Sequence, residues 1–134
     1  MPAHFEDNHW PLVVVRLVGA DGNTDVEVML TALQRRMFQG RCAVLFDTSA
    51  TEHQSLAQAQ EVVRIEGKWL RANQALIQRN VVGVAFVITN PAVRFVLSSV
   101  LLLAPLRTPH VVTGDESEGR SYCHQLLRST SSRP

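Results

Sequence analysis

The sequence predicts an α/β fold: a single layered domain with a mostly parallel sheet of four to five strands, flanked by about four helices. Short, wholly apolar runs are typical of strands that are buried on both faces. Between them lie longer segments whose apolar residues repeat at helical intervals, and this alternation implies parallel strands joined by right-handed crossovers. The strand residues that we expect in the core are Val13, Val15, Val44, Phe46, Val84 and Phe86.

The N-terminal part supplies the first strand and the first helix. The β-branched run Leu12–Val18 ends at Gly19 and is predicted to be a strand. Before it, His4–Asp7 either adds an antiparallel edge strand, through a hairpin at Asn8, or stays outside the sheet. The capping-box spacing from Thr24 to Glu27 predicts a helix that continues to Gly40. Its apolar positions are Val26, Met29, Leu30, Leu33 and Met37.

A buried strand and a long helix follow. The strand Cys42–Phe46 is closed by the polar string Asp47-Thr48-Ser49. A second capping-box spacing, from Thr51 to Gln54, predicts a helix that reaches about Gln78 with its pattern interrupted only at Gly67.

Two polar residues, Glu66 and Asn73, fall within the apolar face of this long helix, close to Trp69. An unpaired buried carboxylate costs several kcal/mol, so Glu66 needs an arginine, a cluster of donors, water or a proton. Either both residues have structural partners, or they are the polar lining of an apolar ligand pocket. Trp69 is predicted to be a core or interface residue.

The third strand, Val82–Ile88, leads into a strongly apolar helix over residues 91–104. Asn90 is a suitable N-cap, and Pro91 fits the first helical position, where a missing N–H costs nothing. A helix that is apolar all round must cover a sheet, a partner or a lipid. One sheet face covers only part of its circumference, so we expect an apolar surface at Phe95–Leu103, including Leu101 and Leu102, to be available for binding.

The C-terminal part predicts one more strand and one more helix. The strand is Pro109–Thr113, and the run Asp115-Glu116-Ser117-Glu118 caps a helix that reaches about Arg128. The predicted domain therefore spans residues 1–128, and residues 129–134 form a flexible C-terminal tail.

Composition excludes several classes of protein. Lys+Arg 13 against Asp+Glu 12 gives a net charge of +1, so we expect neither nucleic acid nor an anionic membrane as a partner. No apolar run is long enough for a membrane span, and the N-terminus lacks the apolar core of a secretion signal, which favours a cytoplasmic protein. Cys42 and Cys123 lack metal-binding or redox spacing and are expected to be buried thiols.

No enzyme motif is present. The 5 histidines show no HExxH or paired Cys/His spacing, and the chain contains no phosphate-binding glycine loop and no GxSxG nucleophile elbow. We therefore expect no catalytic residue, no metal and no cofactor.

The best-placed polar residues are those at the carboxyl ends of the predicted strands, where binding crevices form in open parallel sheets. Asp47, Thr48, Ser49 and Asn90 either bind a polar group or a partner loop, or act only as turn and cap residues. Arg94 lies one turn into the apolar helix, where it either faces solvent, meets an anionic ligand or pairs with Asp47 across this edge, and the Asp47–Arg94 pair is the prediction that we test.

The order of these elements, together with the block VGVAFVITNPAVRFVL, resembles the SpoIIAA-like group, which belongs with STAS and Sec14/CRAL-TRIO-like domains. The resemblance covers about Leu12 to Leu127. It implies a bacterial cytoplasmic, non-enzymatic domain that acts through protein–protein contacts, as a homodimer or an adaptor, or that carries a small apolar ligand or lipid between the apolar helix and the long helix. STAS phosphoswitches carry an Asp-Ser-Ser-Gly-type turn, whereas Asp47-Thr48-Ser49-Ala50 lacks the glycine.

Overall fold

A five-stranded mixed sheet with helices on both faces forms the framework of the protein. The structure, a computed structural model, describes residues 3–17, 23–47, 56–91, 94–95, 97–98, 101 and 107–131. Its sheet order is β1-β2-β3-β4-β5, with β1 antiparallel to β2 and all other pairs parallel. The strands are β1 Ala3–Glu6, β2 Leu12–Leu17, β3 Cys42–Asp47, β4 Val81–Val87 and β5 His110–Thr113. The helices are α1 Asn23–Met37, α2 Leu56–Ala72, α3 Gln74–Asn80 and α4 Glu116–Ser131.

The α/β class and the antiparallel edge strand are thus confirmed, and a short 3-10 turn at Asp7–His9 joins β1 to β2. Side chains alternate along each strand, so the sheet has two apolar faces. All six predicted core residues are buried on one face, which packs against α1, α2, α3 and the helical residues Leu97 and Leu101. The other face packs against Cys123 and Leu127 of α4.

The C-terminal end of α1 and the starts of α4 and of the helix after β4 follow their sequence signals. Gly40, which follows α1, has a φ of +141°. Glycine adopts this left-handed backbone conformation without steric strain, so it favours the end of the helix here. The Asp115 carboxylate accepts a hydrogen bond from the Ser117 N–H at 2.9 Å, as a helix cap does. The Asn90 carbonyl accepts the Arg94 N–H at 3.0 Å, which places Asn90 at the cap position before Pro91. The described residues from 91 to 101 are helical.

The prediction of one long helix ending near Gln78 is wrong, because the segment forms two helices that meet at Asn73. The Asn73 amide donates to the Trp69 carbonyl at 2.9 Å, and its side-chain oxygen accepts from Gln34 at 2.9 Å. An asparagine that hydrogen-bonds to nearby backbone competes with the helix, which explains a break here and not at Gly67. The predicted start at Thr51 lies outside the described residues.

The C-terminal helix α4 continues to Ser131, three residues beyond the helix end predicted at about Arg128. Gly119 lies close against the sheet: a Cβ at this position would lie 3.0 Å from Val87 Cγ2 and 3.3 Å from Ala85 Cβ. Glycine therefore lets the first turns of α4 lie directly on β4.

Both cysteines are free and buried, as predicted, and burial raises the pKa of each thiol to about 11. No helix among the described residues combines the length and the apolar composition that a membrane crossing requires.

Candidate functional site

An ion-pair network at the carboxyl ends of β2 and β3 is centred on Arg16. Arg16 follows Leu12 and Val14 on the sheet face that α4 covers, and it is directly paired in register with Asp47 on β3. Its guanidinium donates to Asp47, to Glu6 on β1 and, at 2.6 Å, to Glu116 in the first turn of α4. Because Asp47 is only 5% exposed, its carboxylate requires such a partner.

Arg120 and His9 extend the network. Arg120, one turn beyond Glu116, donates to that carboxylate at 2.9 Å and lies 3.6 Å from a carboxylate oxygen of Glu6. His9 Nε2 lies 3.3 Å from the same oxygen of Glu6. The network therefore connects β1, β2, β3 and the first turns of α4 through their side chains.

The charges in this network stabilise one another. Hydrogen bonding to Arg16 lowers the pKa of Glu116 to about 2 and lowers the pKa of Glu6 below its usual range. The same contacts raise the pKa of the Arg16 guanidinium above its ordinary value. Carboxylates with depressed pKa values are weak bases near neutral pH, so this geometry suits anchoring of α4 better than proton transfer.

The structure places the residues predicted for this edge in different surroundings. Asp47 lies at the edge and pairs with Arg16, while Thr48 and Ser49 lie outside the described residues. The Arg94 guanidinium lies against the turn before α4, since a Cβ on Gly114 would be 2.8 Å from its Nη1. Coupling between Asp47 and Arg94 stays a prediction, and Arg16 forms an ion pair with Asp47.

Arg16 is the site residue that sequence reasoning missed, along with its partners Glu6, Glu116 and Arg120. The sequence does contain a signal for this site: Arg16 is the only charged residue in the run Leu12–Leu17. In a strand that is buried on both faces, a lone arginine near the carboxyl end needs carboxylates from neighbouring strands.

The residues predicted on the long helix separate into two groups. Asn73 has the structural partners that one alternative required, and Trp69 packs against the core with part of its surface exposed. Glu66 is half-buried, and burial raises the pKa of its carboxyl to about 7. No described residue forms a hydrogen bond or ion pair with Glu66 in this structure.

The structure describes four residues of the predicted apolar surface: Phe95, Leu97, Ser98 and Leu101. Leu97 is buried against the sheet, whereas Phe95 is 72% exposed. An open groove of about 480 Å³ lies between this segment and β5, lined by Ser98, Leu101, His110, Val111 and Val112. Leu102 lies outside the described residues.

Comparisons with protein-family models, with curated proteins and with solved structures find no match. Within the described ranges, no group of three or more His, Cys, Asp and Glu side chains could hold a metal ion.

Proposed function

We propose that the chain is a non-enzymatic regulatory or adaptor module of the SpoIIAA-like, STAS type, which acts through protein–protein contacts made by the apolar segment 91–104. The observation that carries the proposal is Phe95, whose side chain is 72% exposed on a helix that directs Leu97 into the core. The antiparallel edge strand, the four parallel strands and the turn at Asn90 and Pro91 support the family assignment.

The exposed position of Phe95 has an energetic consequence. Full burial of a phenylalanine side chain gains about 1.5–3 kcal/mol, and aromatic residues are enriched in the cores of protein interfaces. Ser98 lies one helical turn after Phe95 and lines the groove beside β5, so the aromatic ring and the groove lie on neighbouring parts of one surface. This combination favours a contact with another protein surface.

A second copy of the chain is the partner that this surface fits. In a two-fold dimer, the same patch meets itself, so each copy must supply both a projection and a depression. Phe95 supplies the projection, and the groove lined by Leu101, Val111 and Val112 supplies the depression.

Sedimentation equilibrium over a micromolar concentration series tests this proposal. We expect the parent chain to dimerise and Phe95→Glu to sediment as a monomer with an unchanged circular dichroism spectrum. Phe38→Glu is the matched control, because Phe38 is also a strongly exposed phenylalanine but lies at the other end of the sheet. A monomeric parent, or equal loss of dimer in both variants, would contradict the proposal.

A second candidate function is a carrier of a small apolar ligand or lipid. The resemblance implies such a ligand between the apolar helix and the long helix, and the groove offers a neighbouring position between Ser98, Leu101 and β5. Its volume of about 480 Å³ lies within the range of small-molecule sites, and three of its described lining residues are apolar. Native mass spectrometry of protein purified from cells tests this function, since a carrier shows a discrete added mass that Leu101→Trp removes.

A further inference from the structure

The amino ends of the parallel strands gather at one edge of the sheet, opposite the Arg16 network. We define this amino edge by the residues 10–11, 38–41, 79–80, 107–109 and 127–128. Helices α1, α3 and α4 all end there, because each runs antiparallel to the strands.

Hydrogen bonds between the segments hold this edge together. Asn80 donates to the Met37 carbonyl at 2.7 Å and joins the ends of α3 and α1. Arg41 donates to the Leu127 carbonyl at 2.7 Å and joins the start of β3 to the end of α4. The Ala43 N–H donates to the Pro11 carbonyl at 3.0 Å, so the turn before β2 lies beside the turn before β3.

Positive charge is concentrated on the amino edge, although the net charge of the chain is only +1. Among the described residues, the acidic residues in the segment that leads to this edge are Glu6 and Asp7, and Glu6 is paired with Arg16 and His9. Most other described carboxylates lie at the opposite edge or on α2. The exposed arginines at or beside the amino edge are Arg35, Arg41, Arg79, Arg107 and Arg128.

Helix dipoles explain only part of this pattern. Basic residues in the last turn of a helix are favourable, which accounts for Arg35, Arg79 and Arg128. Arg41 lies in a connecting segment but donates to a carbonyl near the end of α4, so Arg107 is the one of these five arginines that no helix end accounts for.

Two exposed aromatic residues lie among these arginines. Trp10 is 43% exposed and Phe38 is 62% exposed, and they occupy the neighbouring turns that Pro11 and Ala43 connect. Exposure of two large aromatic side chains to water is unfavourable. Neither the packing of the core nor the capping of the helix ends explains it. Tryptophan and arginine are the residues most enriched at the energetic centres of protein interfaces.

We propose that the amino edge is a second docking surface, which binds an acidic segment of a protein partner in which apolar side chains alternate with carboxylates. Charge complementarity selects the acidic partner, and Trp10 and Phe38 provide contacts for its apolar side chains. A nucleic acid is less well matched, because a long polyanion would also approach the carboxylates elsewhere on a chain with a net charge of +1.

Fluorescence anisotropy with a fluorescein-labelled peptide of alternating Glu and Leu residues tests this inference on the full chain. We expect saturable binding that weakens with added salt and falls about tenfold in Arg79→Glu and in Phe38→Ser, the loss of a single interface hot spot. Lys68→Glu is the charge-matched control, because Lys68 is an exposed cation on α2 that is not among the residues that define the amino edge, and this variant should bind as the parent does.

Three results would overturn the inference: no binding of the peptide, an equal loss in Lys68→Glu, or preferential binding of polyuridylate RNA that the same two variants abolish. Circular dichroism of each variant separates loss of binding from loss of folding. Phe95→Glu should bind the peptide normally, so failure of this inference and failure of the dimer proposal give different results.

Discussion

Arg16 on β2 and Asp47 on β3 occupy directly paired positions in adjacent parallel strands, and the guanidinium of the first donates to the carboxylate of the second. Asp47 is buried, and the guanidinium that neutralises it also binds carboxylates from β1 and α4. One arginine therefore holds the first turn of α4 over the edge of the sheet, and α4 supplies the helical cover of that sheet face.

Removal of the Arg16 charge should destabilise the protein strongly. In Arg16→Met, Asp47 loses its guanidinium partner while it stays buried, which we expect to lower the free energy of unfolding by about 3 kcal/mol. Urea unfolding followed by circular dichroism measures this loss. Arg64→Met removes the exposed pair with Glu61 and should leave the unfolding midpoint nearly unchanged, because exposed pairs contribute little.

The double variant Arg16→Met with Asp47→Asn tests whether the two residues are coupled. If the pair contributes as described, the double variant is more stable than the sum of the two single losses predicts. Strict additivity would show that Arg16 and Asp47 act independently.

Glu116 should make the stability of the protein sensitive to acid. Its pKa is lowered from 4.5 to about 2, so its contribution is fully present above about pH 4.5 and is lost as the pH falls towards 2. The difference in unfolding free energy between the parent and Glu116→Gln should therefore shrink over this interval. Urea unfolding at pH 6, 4 and 2.5 checks it, and a difference that is constant with pH would contradict the assignment.

Glu66 should have the opposite pH dependence. Burial raises the pKa of its carboxyl from 4.5 to about 7, so its ionisation in the folded state opposes folding progressively from about pH 4.5 to 7. We expect Glu66→Gln to be more stable than the parent at pH 8 and equal to it at pH 4. Equal stability at both pH values would show that solvent screens the carboxylate fully.

Most of the framework could be predicted from the sequence because local signals and burial agree there. The apolar strands, the glycine after α1 and the Asp115 cap each act through neighbouring residues, so pattern alone locates them. The break at Asn73 was not located in this way, because the side chain that bonds locally to the Trp69 carbonyl is also bonded to Gln34, which is distant in the chain and which no local pattern specifies.

In the candidate site, too, the sequence predicts the features that depend on local pattern but not those that depend on distant contacts. Strand order correctly places Asp47 at the carboxyl edge, but its partner depends on which strands are adjacent and on the face that each side chain occupies. Arg16 and Asp47 are adjacent because β2 pairs with β3 in one register, and a shift of one residue would place them on opposite faces. The Glu116 contact further requires α4 to fold over this face, which no local pattern specifies.

Close packing of α4 at Gly119 should make this position sensitive to size. A Cβ there would lie 3.0–3.4 Å from side-chain atoms of Val87, Ala85 and Leu45, so Gly119→Leu must lift the helix from the sheet. We expect a loss of about 1–3 kcal/mol by overpacking, measured by urea unfolding. Ser121→Leu places the same side chain at an exposed position of α4 and should have little effect. Equal stability of the two variants would show that α4 shifts freely.

Photo-cross-linking from position 95 tests the central claim, that the surface around Phe95 binds protein, most directly. With p-benzoylphenylalanine in place of Phe95, irradiation of the purified protein should produce a covalent dimer, and mass spectrometry of its peptides should join position 95 to residues 91–101 or β5 of a second copy. The same group in place of Phe38 should give no covalent dimer. Absence of cross-linked dimer from position 95, or attachment to residues far from this surface, would contradict the proposed function.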